Sequence, residues 1–157
     1  MKKVYGIEAH DYPKRKEVYG FGKEMAYDLS KYGPFGRYAW RVPFEHLDKE
    51  GARGWLRFYF KGDGTLHKGD LPTDISIRAH SVNKQGLEEV RILLENEFGI
   101  RSYVYLHPRE RSEATKNWSD LYELEVPNVR KFRDEIGFVS PEKRGKLDNI
   151  IKRFWGE

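Results

Sequence analysis

The stretch from Leu56 to Gly64 holds the residue types that could do chemistry, because an apolar helix-forming run ends abruptly in Gly62-Asp63-Gly64. Gly62 has no side chain, so the backbone of another helix can approach it closely. A carboxylate at such a helix end, here Asp63, is a hard oxygen ligand suited to Mg²⁺. Paired with a copy of itself, it could hold metal ions against a phosphodiester. The alternative is a plain helix C-cap and tight turn.

The hydrophobic pattern predicts the elements that position this tripeptide. Helical periodicity and strand alternation predict helices over 43–60, 84–98 and 128–136, a last helix from 140, and strands over 65–68, 73–80, 100–109 and 118–126. Asn83 is predicted to cap the second of these helices, and Gly99 to close it. The order gives an α+β fold with a four-stranded antiparallel sheet and helices on one face.

Strand alternation also predicts which side chains lie on the other face of the sheet. Ile75, Ile77, Val104 and Leu106 are expected to point towards the helices. The opposite face is predicted to carry cations and rings: Arg78, His80, Arg101, Tyr103, Tyr105, His107 and Arg109. Such a surface is typical of a saddle that binds nucleic acid, although an ordinary solvated sheet face is the alternative.

Composition limits the class of protein. The 157 residues predict one main domain, and the net charge of +4 is a mild positive balance. The absence of cysteine excludes disulfides, thiolate catalysis and Cys-ligated metals. We expect no membrane contact and a cytoplasmic location, because the chain has no long apolar run and its N-terminus does not resemble a signal peptide. Splicing is not expected, since the chain begins with Met and lacks a C-terminal His-Asn pair.

The first forty residues form a separate segment in this interpretation. Strands over 3–9 and 17–21, a basic turn over 11–16 and a helix over 23–32 predict a ββα unit in residues 1–42. Its order of strand, basic turn, strand and helix parallels residues 103–138, which indicates a weak internal repeat. The main domain is then residues 43–157.

The motif resembles the LAGLIDADG (dodecapeptide) motif of homing endonucleases. Later features agree in order with that family: Ser81-Val82-Asn83, Phe98-Gly99-Ile100, Tyr122-Glu123-Leu124-Glu125-Val126 and Pro141-Glu142-Lys143. The resemblance covers about residues 43–155 and implies the αββαββα fold with a DNA-binding saddle. It also implies that residues 1–42 are the trailing part of a truncated preceding repeat.

The resemblance implies a mechanism and its residues. Two motif helices would pack side by side at a twofold axis, and the last acidic residue of each, Asp63, would reach the scissile phosphates with Mg²⁺. Lys143 matches the family's lysine near the metal-bound water, and Asn83 matches its water-organising polar group. The saddle would read double-stranded DNA in the major groove. Without the resemblance, Asn83 is interpreted as a helix cap and Lys143 as a solvated residue.

The single motif predicts a homodimer, because one Asp63 cannot build a paired site. Trp55, Phe58, Tyr59 and Gly62 recur at spacings of three and four, so they share one helix face and form the predicted dimer interface. The target is then expected to be roughly palindromic. The alternatives are a partner half from a split gene and an N-terminal repeat that folds back over this face.

Two departures from the family pattern keep a second function open. Phe58 replaces the small third residue of the motif, and Lys61 replaces its first acidic residue. The first hypothesis is a site-specific, metal-dependent DNA endonuclease. The second is a catalytically inactive DNA- or RNA-binding protein, such as a regulator or maturase, and the third is an α+β interaction domain with a chance Gly-Asp-Gly.

Overall fold

The computed structural model describes residues 36–157 and, before them, residues 10–12, 17–19, 27, 30, 31, 33 and 34. Its strands are β1 (His10–Tyr12), β2 (Glu17–Tyr19), β3 (Gly64–His67), β4 (Ser76–Ser81), β5 (Tyr103–His107) and β6 (Leu121–Val126). The helices from residue 49 onward are α1 (Lys49–Gly62), α2 (Lys84–Phe98), α3 (Val129–Glu135) and α4 (Pro141–Trp155). The predicted α+β class and the order of its elements are confirmed.

Helix α1 begins later than predicted and ends at the predicted tripeptide. The Asp48 carboxylate accepts a 2.7 Å hydrogen bond from the Gly51 N–H and thereby caps the helix. The predicted first turns are instead a short 3₁₀ helix at Phe44–His46. At the other end, the Asp63 N–H donates to the Tyr59 carbonyl at 3.0 Å. Asp63 is therefore the C-terminal cap of α1.

The remaining helices also begin at side-chain caps. Asn83 accepts a hydrogen bond from the Gly86 N–H at 3.0 Å, so α2 begins at residue 84 as predicted. Asn128 caps α3 and Ser140 caps α4 in the same way. No helix within the described residues is long and apolar enough to cross a membrane.

The main sheet is antiparallel with the strand order β3-β4-β6-β5, so β4 and β6 form its centre. Arg78 lies opposite Glu125, and Glu125 lies opposite Tyr103 on the other side of β6. One pair further along, Glu123 lies between His80 and Tyr105. Directly opposed residues share a face of the sheet, so these side chains lie on one surface. We call this surface the open face; it also carries Thr65, His67, Ser76, His107 and Leu121.

The helices cover the other face and enclose the core. Ile75 and Ile77 are fully buried there, as predicted, and are joined by the motif-helix residues Leu56 and Phe60. Leu106 shares this side because it lies opposite Tyr122, yet it is 55% exposed. The prediction that Leu106 points towards the helices is therefore confirmed by the register, and its side chain is exposed because it lies near the end of the edge strand β5.

Strand β5 is shorter than the predicted 100–109. The Ile100 N–H donates to the Leu94 carbonyl at 3.0 Å, so this residue belongs to the C-terminal turn of α2. At the other end, Pro108 has no N–H to continue the ladder. Arg101 and Arg109 consequently flank β5 and are not part of the strand alternation.

The described part of the N-terminal segment contains an antiparallel hairpin of β1 and β2, in which His10 pairs with Tyr19. Asp11 and Tyr12, which were predicted to start a turn, belong to β1. The predicted strand over 3–9 lies outside the described residues, as does most of the predicted helix over 23–32. The proposed division at residue 42 therefore stays a prediction.

Candidate nucleic-acid interface and metal centre

The end of α1 brings Asp63 and Lys143 into one site. The Lys143 ammonium donates to the carbonyl oxygens of Gly64 at 2.6 Å, Lys61 at 3.0 Å and Phe60 at 3.4 Å. Phe60 and Lys61 lie in the last turn of α1, where carbonyls lack the full set of helical donors, and Gly64 is the residue after the cap. The negative end of the helix dipole also favours a cation there. Lys143 thus ties the start of α4 to the end of the motif helix, beside Asp63.

The electrostatics of Asp63 follow from this position. Partial burial raises the pKa of the Asp63 carboxyl, and the nearby Lys143 ammonium offsets only part of that effect. Asp63 also interacts with the Tyr59 hydroxyl, whose pKa is raised first by burial and then by this negative charge. A partly buried carboxylate next to a lysine is a candidate metal ligand, with a cation close enough to act on the same bound phosphate.

Asn83 has the contacts of a structural residue. It is buried, its amide oxygen accepts from the Gly86 N–H, and its amide nitrogen donates to the Trp40 carbonyl at 2.6 Å. Both ends of the side chain are therefore engaged in joining α2 to the segment before α1. The family resemblance alone supports a catalytic role for Asn83.

The four residues predicted at the dimer interface divide into two groups. Tyr59 is buried and Trp55 is half-buried, and their rings stack with centroids 5.6 Å apart. Trp40 covers both of them, with its ring 5.5 Å from Tyr59. Phe58, in contrast, is 76% exposed, and Gly62 is exposed as well. The segment before α1 therefore covers one part of this helix face and leaves Phe58 and Gly62 open.

A pocket of about 440 Å³ lies where that segment meets α1. Its lining includes Trp40, Phe58, Gly62 and Asp63. Tyr59 also lines this pocket, and within the described part of the chain its hydroxyl is buried without a hydrogen-bond partner. The pocket is thus an apolar surface that ends at the candidate metal ligand.

The two glycines of the tripeptide differ in their surroundings. A Cβ on Gly64 would lie 2.5 Å from the Phe60 carbonyl oxygen, so the fold of this chain requires glycine there. Among the residues that the structure describes, a Cβ on Gly62 would meet nothing within 4 Å. Glycine inside a helix costs about 1 kcal/mol relative to alanine. Gly62 therefore has no packing reason within the described chain, as expected of a contact made with another molecule.

The open face carries five of the seven predicted DNA-facing residues: Arg78, His80, Tyr103, Tyr105 and His107. It also carries Glu123 and Glu125, which were not predicted as site residues. Alternation within β6 could have placed them, because both lie opposite open-face residues of β4 and β5. Their presence changes the electrostatic character of the surface.

Glu123 and Glu125, which we call the acidic pair, contact most of the residues that were predicted to bind DNA. Arg78 lies 3.2 Å from Glu125 and 3.7 Å from Glu123. The Tyr105 hydroxyl contacts Glu125 at 2.5 Å and Glu123 at 3.0 Å, and burial together with these hydrogen bonds raises its pKa. Burial alone would raise the pKa of Glu125, but hydrogen bonds from Tyr105 and Ser76 and the Arg78 charge outweigh it and lower that pKa. One arginine thus faces two carboxylates at the centre of the open face.

The two remaining predicted residues lie beside β5. Arg101 is exposed and lines a pocket of about 550 Å³ together with Arg91 and Glu95 of α2. Arg109 donates to the Ser119 carbonyl at 3.2 Å, and its guanidinium lies 5.7 Å from the centre of the Trp118 ring. Arg109 therefore braces the loop between β5 and β6, while Arg101 lies at the sheet edge.

Comparison with known proteins agrees with this architecture. A family model for the LAGLIDADG-like domain matches residues 50–137, which is more than half of the chain. The chain is 33% identical over 124 residues to the DNA polymerase II large subunit of Thermococcus kodakarensis, a match that covers 68% of this chain. It is 31% identical over 142 residues to the replication factor C small subunit of Methanocaldococcus jannaschii, covering 87% of this chain. The matched segment spans only 7% of each of these relatives.

The sheet order, the motif helix that ends in Gly-Asp-Gly and the family match define one class: the chain belongs to the LAGLIDADG-like family. Proteins of this family bind DNA, are generally nucleases and typically depend on a divalent metal. The family resemblance drawn from Leu56–Gly64 and the features after it is confirmed.

Proposed function

We propose that the protein is a site-specific endonuclease of double-stranded DNA that acts in the cytoplasm as a Mg²⁺-dependent homodimer on a roughly palindromic target. The observation that carries the proposal is the position of the Lys143 ammonium near Asp63, at the end of the motif helix. A carboxylate and a lysine held together by the same helix end provide a metal ligand and a cation for a phosphodiester.

The donor set suits Mg²⁺ only if two copies contribute. Mg²⁺ is commonly held by one or two carboxylates together with substrate phosphates and water. The carbonyls at the end of α1 are occupied by Lys143, which leaves Asp63 as the ligand from each chain. When bound there, Mg²⁺ would supply Lewis-acid stabilisation of charge on the phosphate. Lys143 would hold the end of α1 in place and add positive charge beside that phosphate.

The open part of the motif helix supports the homodimer. Phe58 is 76% exposed, and a Cβ on Gly62 would meet no atom of the described residues within 4 Å. A second motif helix packed there would cover the ring and bring the two Asp63 residues together. Trp40 covers Trp55 and Tyr59 within the same chain, so the interface we propose is centred on Phe58 and Gly62. In this proposal residues 1–42 are a truncated preceding repeat and 43–157 are the nuclease domain.

DNA would contact the open face and its surroundings. The proposed readers on the strands are Arg78, His80, Tyr103, Tyr105 and His107, with Arg101 and Arg109 at the ends of β5. Because Glu123 and Glu125 hold Arg78 and Tyr105, we expect these two side chains to be pre-oriented by the protein. Arg101 is expected to contribute mainly a phosphate contact.

A second candidate function is a DNA- or RNA-binding protein of the same fold that does not cleave. Lys61 replaces the first acidic residue of the motif, and Phe58 replaces its small third residue. The acidic pair on the open face also lowers its positive charge. These features favour binding without cleavage, and cleavage assays separate the two functions.

The test begins with selection of bound targets from a random double-stranded DNA library. Cleavage of the selected target is then measured with and without Mg²⁺. We expect wild-type protein to cut only with Mg²⁺, and Asp63→Asn to bind with near wild-type affinity without cutting. Asp70→Asn, which removes an exposed carboxylate from the turn after β3, is the matched control and should cut normally.

Each alternative outcome has a definite meaning. Selected DNA that is bound but never cut identifies the non-cleaving function. Cleavage by Asp63→Asn at the wild-type rate removes Asp63 from the mechanism. Failure to select any DNA at low salt, where phosphate contacts are strongest, contradicts the endonuclease and restricts the second function to RNA binding.

A further inference from the structure

The open face contains a cluster of metal-ligating atoms that is separate from Asp63 and includes two of the proposed DNA readers, His80 and His107. His80 on β4, His107 on β5 and Glu123 on β6 offer three ligand atoms that all lie within 4.8 Å of one another. The Nε2 atom of His80 is 2.6 Å from the Oε2 atom of Glu123, and the Nδ1 atom of His107 is 3.4 Å from the same oxygen. The two imidazole rings are nearly perpendicular, with centroids 4.7 Å apart. Two nitrogens therefore converge on one carboxylate oxygen.

The Glu123 carboxylate is oriented for this convergence. Its Oε1 atom accepts from the Tyr105 hydroxyl at 3.0 Å and lies 3.7 Å from Arg78, while Oε2 is directed at the two histidines. The Glu123 side chain is only 4% exposed, so packing fixes it in place. Metal-binding carboxylates are typically held by such outer hydrogen bonds, which determine the direction of the free oxygen.

The histidines are accessible from solvent, since their side chains are 33% and 39% exposed. An ion can therefore reach the cluster without unfolding the sheet. In a tetrahedral Zn²⁺ site, bonds of about 2.0–2.2 Å place neighbouring ligand atoms about 3.4 Å apart. The distance from His107 to Glu123 already has this value. The hydrogen-bonded pair of His80 and Glu123 would have to open by about 1 Å to reach it.

The charge of the surroundings also favours a cation. Arg78 is paired with both Glu123 and Glu125, so the centre of the open face carries one more negative than positive charge when the histidines are neutral. A dication would reverse that balance. Since imidazole nitrogen suits transition ions while Mg²⁺ prefers oxygen, the cluster and Asp63 would select different metals.

We propose that His80, His107 and Glu123 form a binding site for a divalent first-row transition ion of the Zn²⁺ type, distinct from the site at Asp63. The ion takes Nε2 of His80, Nδ1 of His107 and Oε2 of Glu123 as ligands. Its remaining coordination position is left to water or to a group outside the chain. The site links β4, β5 and β6 across the open face.

The test uses the full chain after dialysis against a chelator. Zn²⁺ binding is measured by calorimetry, and Co²⁺ is added as a visible-absorbance probe of nitrogen and oxygen coordination. We expect about one Zn²⁺ per chain, and at least about tenfold weaker binding in His107→Gln and in His80→Gln. His67→Gln, which removes an open-face histidine of β3 outside the cluster, should bind Zn²⁺ as wild type does.

Two further measurements keep the test decisive. Asp63→Asn should retain Zn²⁺ binding, which separates this site from the nuclease site; loss of binding in that variant contradicts the proposal. Glu123 is buried, so folding of Glu123→Gln is first checked by circular dichroism, and the half-exposed His107 supplies the variant that does not depend on it. Absence of Zn²⁺ binding by wild type, or equal binding by His107→Gln, overturns the proposal. Neither result affects the DNA-cleavage hypothesis, which rests on Asp63 and Lys143.

Discussion

The Lys143 ammonium donates a 2.6 Å hydrogen bond to the Gly64 carbonyl oxygen, which joins the first turn of α4 to the residue that follows the Asp63 cap. The same ammonium also donates hydrogen bonds to the carbonyl oxygens of Phe60 and Lys61 in α1. The position of Asp63 thus depends on a residue eighty positions later in the sequence. Lys143 has a structural role that is separable from any part in cleavage.

Lys143→Met should lower the free energy of unfolding by about 1–3 kcal/mol, because three carbonyls lose a charged donor. Chemical denaturation followed by circular dichroism measures the change. Lys146→Met is the matched control, since Lys146 forms a surface ion pair with Glu142 and should cost about 0.5 kcal/mol or less. Equal effects of the two substitutions would show that Lys143 does not stabilise the end of α1.

Asp63→Asn should increase stability at neutral pH. Burial raises the pKa of Asp63 in the folded state, so the folded protein holds this proton more tightly than the unfolded chain. Stability is therefore lost as pH rises from the ordinary aspartate value of 3.8 through the raised one. The Asn variant should gain up to about 1 kcal/mol at pH 7, allowing for solvent screening. Denaturation at several pH values should show that gain disappear below the ordinary value, and a gain independent of pH would contradict the assignment.

Glu89→Gln should destabilise the protein at neutral pH and less so in acid. Burial alone would raise the pKa of Glu89, but hydrogen bonds from Arg41 and the Val42 N–H outweigh it and lower that pKa. The stabilisation is therefore complete above the ordinary glutamate value of 4.5 and is lost as pH falls through the lowered one. We expect a cost of about 1–3 kcal/mol at pH 7.

Denaturation curves at pH 7 and at acidic pH measure this difference. Glu95→Gln is the control on the same helix, because its pair with Arg91 is exposed and 3.6 Å long. It should change stability by about 0.5 kcal/mol or less at either pH. A Glu89→Gln cost that stays constant in acid would refute the proposed link between Arg41 and Glu89.

Gly62→Ala should stabilise the folded chain and weaken its self-association. The added methyl group meets no atom within 4 Å in the described part of the chain, so helix propensity raises the free energy of unfolding by about 0.5–1 kcal/mol. In a close helix pair the same methyl group would overpack the interface by about 1–3 kcal/mol. Sedimentation equilibrium should then show self-association weakened about fivefold or more.

Gly145→Ala tests whether the effect of Gly62 is specific. Gly145 lies inside α4, and a Cβ there also meets open space. This variant should gain similar stability and associate as wild type does. If the two variants associate equally well, the interface does not include Gly62.

Glu125→Gln should raise DNA affinity at low salt. The substitution removes one negative charge from the open face and frees Arg78 from its closest carboxylate, while the side-chain size is kept. We expect about two- to fivefold tighter binding at low salt, and a smaller difference as salt is added. Fluorescence anisotropy with duplex DNA measures it. Glu97→Gln, on the exposed side of α2, should leave the affinity unchanged, and equal effects would place DNA away from the open face.

The sequence predicted best those elements whose boundaries depend on local chemistry. Helix α2 begins and ends as expected because Asn83 caps one end and Gly99 adopts a left-handed conformation with φ of 61° at the other. The start of α1 was predicted too early, because Pro43 and its neighbours look helical until the competing cap at Asp48 is known. The local hydrophobic pattern does not show which of the two possible starts, Pro43 or Asp48, the helix adopts.

Contacts in the candidate site between residues far apart in the sequence were harder to predict from the sequence. Family resemblance, not periodicity, indicated that Lys143 lies near Asp63, because the contact joins residues far apart in the sequence. The acidic pair on the open face was missed because the alternation of β6 was not matched against β4. His80, His107 and Glu123 lie close together because of the strand order, which a single sequence does not determine.

The strand order β3-β4-β6-β5 has a consequence for folding during synthesis. The inner edge of β4 pairs with β6, which follows the other three strands of the main sheet in the sequence. A nascent chain that ends before residue 121 therefore presents β4 with an unsatisfied edge, open to pairing with another chain. If β6 of a neighbouring nascent chain fills that edge first, the two polypeptides exchange strands and emerge intertwined. Ribosome spacing on the messenger RNA thus bears on whether the open face is built from one chain or from two.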